Sequence, residues 1–151
     1  MEKSLIELIN NTKKSLSQKK YDDALSFLNL IIEKDPKNLS ALSTMGDIKA
    51  FKGNFLEAIE IFDKIIQINP ELFLIYNNKG FCLMRIHKYE ESILSFQKAI
   101  QYKEDFSEAY NNLGLAFKKL GKSLEARKNF LSATKHAEWL GPSPGPFSRG
   151  D

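Results

Sequence analysis

A single cysteine, Cys82, stands in a chain of 151 residues. It excludes an internal disulfide framework and any metal site built from several thiolates. Histidine is nearly as scarce. His87 and His136 are the only two, and neither has a second histidine, a cysteine or paired carboxylates at ligand spacing. No apolar run is long enough to span a membrane, and Met1-Glu2-Lys3-Ser4 leads into an amphipathic segment rather than a signal peptide. A cytoplasmic address is therefore expected. An excess of one charge is missing as well: 22 basic residues face 19 acidic ones, a net +3 spread along the whole length. Only three of the basic residues are arginines, Arg85, Arg127 and Arg149. Balanced charge does not mark a nucleic-acid or membrane binder, scarce arginine speaks against a nucleic-acid partner, and without a spanning run no membrane insertion is expected. No stretch alternates with period two, so no strands are expected. No nucleophile, base and orienting group stand in a usable set, and the chain reads as a non-enzyme with no cofactor.

What is present is a period. Apolar residues make up 42% of the chain, near the globular average, and they recur at helical spacing. Tyr76-Asn77-Asn78-Lys79-Gly80 is followed by Tyr89, Ser92, Phe96 and Ala99. Thirty-four residues on, Tyr110-Asn111-Asn112-Leu113-Gly114 leads to Ala126, Phe130 and Ala133. Thirty-four residues back, Leu42-Ser43-Thr44-Met45-Gly46 leads to Ala58, Phe62 and Ile65. A weaker copy puts Leu8, Ala24, Leu28 and Ile31 in the same columns. Self-similarity at this period predicts a stacked helical repeat. The units fall at 5–38, 39–72, 73–106 and 107–140, each a helical hairpin.

Local signals agree. Ser4 with Glu7 three residues later has the form of a capping box. Asp22 and Asp23 open the second helix, where the dipole favours acids. Asp35-Pro36 and Asn69-Pro70 end helices, because proline disfavours helix in the residue before it. Gly46, Gly80 and Gly114 sit within helices, each costing about 1 kcal/mol relative to alanine. Three such costs in one column predict a neighbouring helix packed too close for a side chain. Ala24, Ala58, Ser92 and Ala126 form the reciprocal small column. Leu28, Phe62, Phe96 and Phe130 fill the gap beyond, each contributing roughly 1.5–3 kcal/mol on burial. Thr12 replaces the glycine in the first unit.

Glycine in the first helix, then alanine, phenylalanine and alanine in the second, then proline, resembles the tetratricopeptide repeat. The resemblance covers about residues 5–140. It implies an all-α, right-handed α-solenoid of four helix-turn-helix repeats, and a scaffold that binds proteins. Glu104 and Glu138 stand where proline is usual, which weakens the expected helix stops there. By the resemblance, the first helix of each unit lines the concave side. The facing residues are then Ile6, Ile9 and Lys13 in the first unit, and Ser43, Asp47 and Phe51 in the second. In the third they are Leu74, Asn77, Asn78, Phe81, Met84 and Arg85. In the fourth they are Glu108, Asn111, Asn112, Leu115, Lys118 and Lys119.

Asn77, Asn78, Phe81, Met84, Arg85, Asn111, Asn112, Leu115 and Lys119 are the candidate peptide-binding residues. The amides would hold an extended backbone, Phe81 and Leu115 would anchor an apolar side chain, and Arg85 and Lys119 would select an acid. An apolar patch rimmed by polar groups marks a partner site; Phe81, Met84 and Leu115 could equally pack between units. Chaperone-binding members of the family clamp a terminal carboxylate with lysine, asparagine and arginine. In one window the matching positions read Ile9, Lys13, Thr44, Leu74 and Asn78; in the other, Ser43, Asp47, Asn78, Glu108 and Asn112. Only Asn78, in the second, agrees, and Glu108 would repel a carboxylate, so chaperone C-terminal tails are not expected as ligands. The alternative function is a structural module that stacks end to end, giving a homo-oligomer.

Three short motifs carry little. Ala116 to Ser123 fits a relaxed phosphate-loop pattern, but that loop needs a strand before it, and Gly121 is expected to be a turn between helices. Residues 141–151 hold three prolines and three glycines and cannot be helical. They are a natural flexible tail or a remnant of cloning. Arg149-Gly150-Asp151 at its end resembles an adhesion tripeptide only by chance or cloning. With no polar capping helix after the fourth unit, its outer apolar edge is expected to be exposed.

Overall fold

The computed structural model describes residues 3–139. The period of thirty-four emerges as eight helices: α1 Leu5–Ser17, α2 Tyr21–Lys34, α3 Leu39–Phe51, α4 Phe55–Ile68, α5 Phe73–Arg85, α6 Tyr89–Tyr102, α7 Ser107–Lys119 and α8 Ser123–Trp139. No strand occurs among the described residues. Each odd-numbered helix packs on the next even one, and each even one on the helix that follows. The result is an α-solenoid of four hairpins. The tail from 141 to 151, with its tripeptide, lies outside the described residues.

Helix ends follow the sequence signals. Ser4 caps α1, its Oγ accepting from the Glu7 amide at 3.2 Å. Asn38 caps α3, accepting from the Ala41 amide at 3.0 Å. The turn inside each hairpin is one motif used four times. Its first member has the Lys20 amide donating to the Ser15 carbonyl and the Lys19 amide to Leu16. Asn54 with Lys49, Lys88 with Leu83, and Lys122 with Phe117 repeat it. This is a Schellman closure, which places one residue in the left-handed region. That residue is Gly53 (φ +82°) and Gly121 (φ +73°) in two hairpins, but Lys19 (φ +56°) and His87 (φ +63°) in the others. Gly121 is thus a turn preceded by helix α7, and no strand precedes it as a phosphate loop requires.

The two departures from proline behave differently. α6 still stops at Tyr102, in the same column as Lys34 and Ile68, although Glu104 replaces proline. Phe106 just beyond is buried against Phe73, ring centroids 5.1 Å apart, so packing back on the first helix of its own unit turns the chain. α8 continues past the equivalent position, His136, to Trp139.

The glycine column meets the phenylalanine column within each hairpin. A Cβ on Gly46 would lie 2.5 Å from the Phe62 ring; on Gly80, 2.6 Å from Phe96; on Gly114, 2.6 Å from Phe130. Phe62 and Phe96 have no exposed surface, because the following unit covers them. Phe130 is only half-buried. Around it the outer face of α8 changes character. Asp22 of α2 pairs with Lys52 of the next unit, and Asp63 of α4 with Lys79 at 2.6 Å. The matching columns of α8 hold Leu124 and Leu131, 65% and 63% exposed. Leu56, in the column of Leu124, is as exposed within the stack at 65%, so Leu131 beside half-buried Phe130 is what sets the outer face apart.

Candidate binding groove

One flank of the solenoid is built from odd-numbered helices. α3 touches α5, and α5 touches α7. Between them lies a hollow of about 290 Å³ lined by Asp47, Ala50, Phe62, Asn77, Asn78, Phe81, Glu108 and Asn112. It exists because Gly46 lets Phe62 lie flat at its back while short amides, not long side chains, occupy its floor.

The floor is hydrogen-bonded across each of two unit boundaries. Asn78 Nδ2 donates to Asp47 Oδ1 at 3.1 Å. Asn77 Nδ2 donates to Glu108 Oε1 at 3.0 Å, and Asn112 Nδ2 donates to Asn77 Oδ1 at 3.0 Å. Asn77 is 2% exposed, so its amide is satisfied by these partners and acts as a strut. Loss of hydration raises the Asp47 carboxyl above its ordinary 3.8, and the Asn78 hydrogen bond opposes that without cancelling it.

The candidate residues separate into three groups. Asn77, Asn78, Phe81 and Asn112 line the hollow. Phe81 is 37% exposed; its ring meets Phe55 edge-on at 6.5 Å. The Arg85 guanidinium lies over both rings, 4.9 Å from Phe55 and 5.7 Å from Phe81, a cation–π arrangement outside the lining. Asn111, Leu115 and Lys119 are exposed on α7 but do not line the hollow. Met84 is half-buried and packs on Ile93, Phe96, Leu113 and Ala116, so it fills the seam between units. Sequence reading put Asp47 and Glu108 on this flank, with Glu108 repelling a carboxylate, but paired neither acid with an amide. The missed signal was register: the acids stand one unit away from amides in neighbouring columns.

A second hollow, about 240 Å³, lies between the first two units and is lined by Ile9, Thr12, Lys13, Leu16, Leu28, Ile31, Asn38, Ser40, Ala41 and Thr44. Elsewhere the scarce residues are accounted for. Cys82 is buried in the core cluster with Phe62, Ile65 and Ile75, and burial pushes its thiol up to about 11. His87 Nδ1 sits 2.8 Å from the Tyr89 hydroxyl, and His136 stacks on Tyr110 at 5.0 Å. Among the described residues no group of three metal-ligating side chains occurs. No helix there is long and apolar enough to cross a membrane.

Known proteins resemble the chain at two levels. A sequence model described as tetratricopeptide repeat matches residues 15–72, and one described as TPR repeat matches residues 87–121. No curated protein sequence matches. Among solved structures, the crystal structure of MamA superposes with a TM-score of 0.85 at 23% identity, covering 91% of this chain and 80% of that one. MamA 41-end from Desulfovibrio magneticus RS-1 also gives 0.85, at 14% identity over 92% of this chain and 78% of that one. At these identities the likeness is one of fold.

Proposed function

Since the chain belongs to the tetratricopeptide repeat family, a class of protein-interaction scaffold, we propose that it is a non-enzymatic adaptor holding a peptide segment or helix of another protein on the α3–α5–α7 flank. The observation that carries this reading is the hollow between those helices, with its braced amide floor and an exposed aromatic edge at Phe81. A prepaid floor reduces the ordering cost of binding. The remaining amide valences, with those of exposed Asn111, suit an extended backbone. Phe81 and Leu115 offer apolar contact, and Arg85 and Lys119 offer charge. A cytoplasmic site of action, with no cofactor, nucleic acid or chaperone carboxylate tail as ligand, belongs to the same proposal. Asn78, the one residue agreeing with the carboxylate clamp, is occupied by Asp47.

The test is capture of partners, their identification by mass spectrometry, and titration of the recovered segment. Phe81→Asp with Arg85→Glu should abolish its binding and leave helicity and oligomeric state unchanged. Unaltered affinity in that variant would remove the groove from consideration. A second reading, end-to-end self-association, draws on exposed Leu124 and Leu131 around half-buried Phe130. It predicts concentration-dependent sedimentation that Leu131→Asp reverses.

A further inference from the structure

Resting on that groove reading, we propose that the hollow between α3, α5 and α7 selects a lysine or arginine side chain presented by the bound segment. This reverses the charge preference expected from Arg85 and Lys119. Of the side chains that line the hollow, the two ionisable ones are both carboxylates, Asp47 and Glu108. Each spends one oxygen on an amide, Asp47 Oδ1 on Asn78 and Glu108 Oε1 on Asn77. Neither pairs with a cation among the described residues, whereas Asp22, Asp63 and Glu57 on neighbouring surfaces do. The cations of the same flank are outside the lining. Arg85 lies over Phe55 and Phe81, Lys79 is paired with Asp63, Lys49 is paired with Glu57, and Lys118 and Lys119 are exposed on α7.

The walls suit the same guest. Half-buried Ala50 and exposed Phe81, with sealed Phe62 behind them, provide apolar surface for an aliphatic stem, and a lysine or arginine buries its stem while its head seeks charge. Asn77 holds Glu108 and Asn112 together, so the acid on α7 is aligned with the floor before a ligand arrives. Charge placed across such an interface acts mainly as a selector.

The experiment uses the full chain, immobilised at physiological salt so that loose surface attraction is screened. Three synthetic heptapeptide pools with random flanks are passed over it, with lysine, norleucine or glutamate fixed at the centre. The lysine pool should be retained about tenfold better than the norleucine pool, the size of one charge-assisted hydrogen bond, and the glutamate pool least. Asp47→Asn with Glu108→Gln keeps both acceptor oxygens for Asn78 and Asn77. It should remove the preference for lysine over norleucine. Equal retention of lysine and norleucine, preference for glutamate, or lysine preference surviving the double substitution each overturns the charge selection while the groove reading stands. If no pool is retained, or Phe81→Asp changes nothing, the groove reading falls together with it.

Discussion

The boundary between the first two units and the boundaries among the last three solve one packing problem in different ways. In the later units α3, α5 and α7 approach one another, and amides stitch the seams on the groove side. α1 makes no such approach to α3; the first unit is held through α2. No side-chain hydrogen bond crosses its groove side among the described residues, and an apolar hollow lies there instead. The cause is local. Thr12 and Leu28 replace the glycine and phenylalanine of the other units, and Thr12 turns its hydroxyl back to the Leu8 carbonyl at 2.8 Å. Ser43 occupies the position of Asn77 one unit earlier and makes no side-chain hydrogen bond across the seam among the described residues. A repeat with equal-length hairpins can therefore have unequal seams, and the groove forms where the seams are stitched.

The largest break in this comparison is expected from Phe96→Ala. Phe96 is sealed between Gly80 and the last unit, so its loss should cost about 3–5 kcal/mol, read as a lowered midpoint in urea. Leu28→Ala, beside an existing hollow, should fall near the low end for leucine, about 2 kcal/mol. Equal costs would mean that the two seams are packed alike. Next in size, Leu28→Phe should destabilise by about 1–3 kcal/mol through overpacking against Thr12. Adding Thr12→Gly should recover most of that, because the pair rebuilds the motif of the later units. A double-mutant cycle measures the coupling, and additivity would show that the two positions do not meet.

Asn77→Ala should cost about 1–3 kcal/mol, since it strips partners from Glu108 and Asn112 at once. Ser43→Ala, in the same column of the second unit, should stay within about 0.5 kcal/mol. Chemical denaturation of both variants decides this. A further small effect concerns the hairpin turns. Lys19 holds a left-handed conformation that Gly53 and Gly121 adopt without strain, so Lys19→Gly should stabilise by about 0.5–1 kcal/mol. A lower melting temperature would contradict that account.

Much of this was legible in the residues because the period was strict. Gly46, Gly80 and Gly114 announced a close approach, and the approaching group was the phenylalanine of the same hairpin. For Met84 both readings, groove contact and packing between units, stood open in the sequence, since its column holds Leu16, Ala50 and Lys118 and so carries no fixed polarity; the structure decided for packing. The pairing of Asn77 with Glu108 was not legible, since their side chains come from different units.

The sequence by itself determined that this chain is four helical hairpins in one stack, because hairpin packing depends on residues close in sequence and repeated at one spacing. Only the tertiary structure decided which amides were already engaged, that Arg85 leans on two aromatic rings, and that the hollow carries two acids. Those facts depend on how neighbouring units are placed side by side, and a column of residues describes each unit without its neighbour.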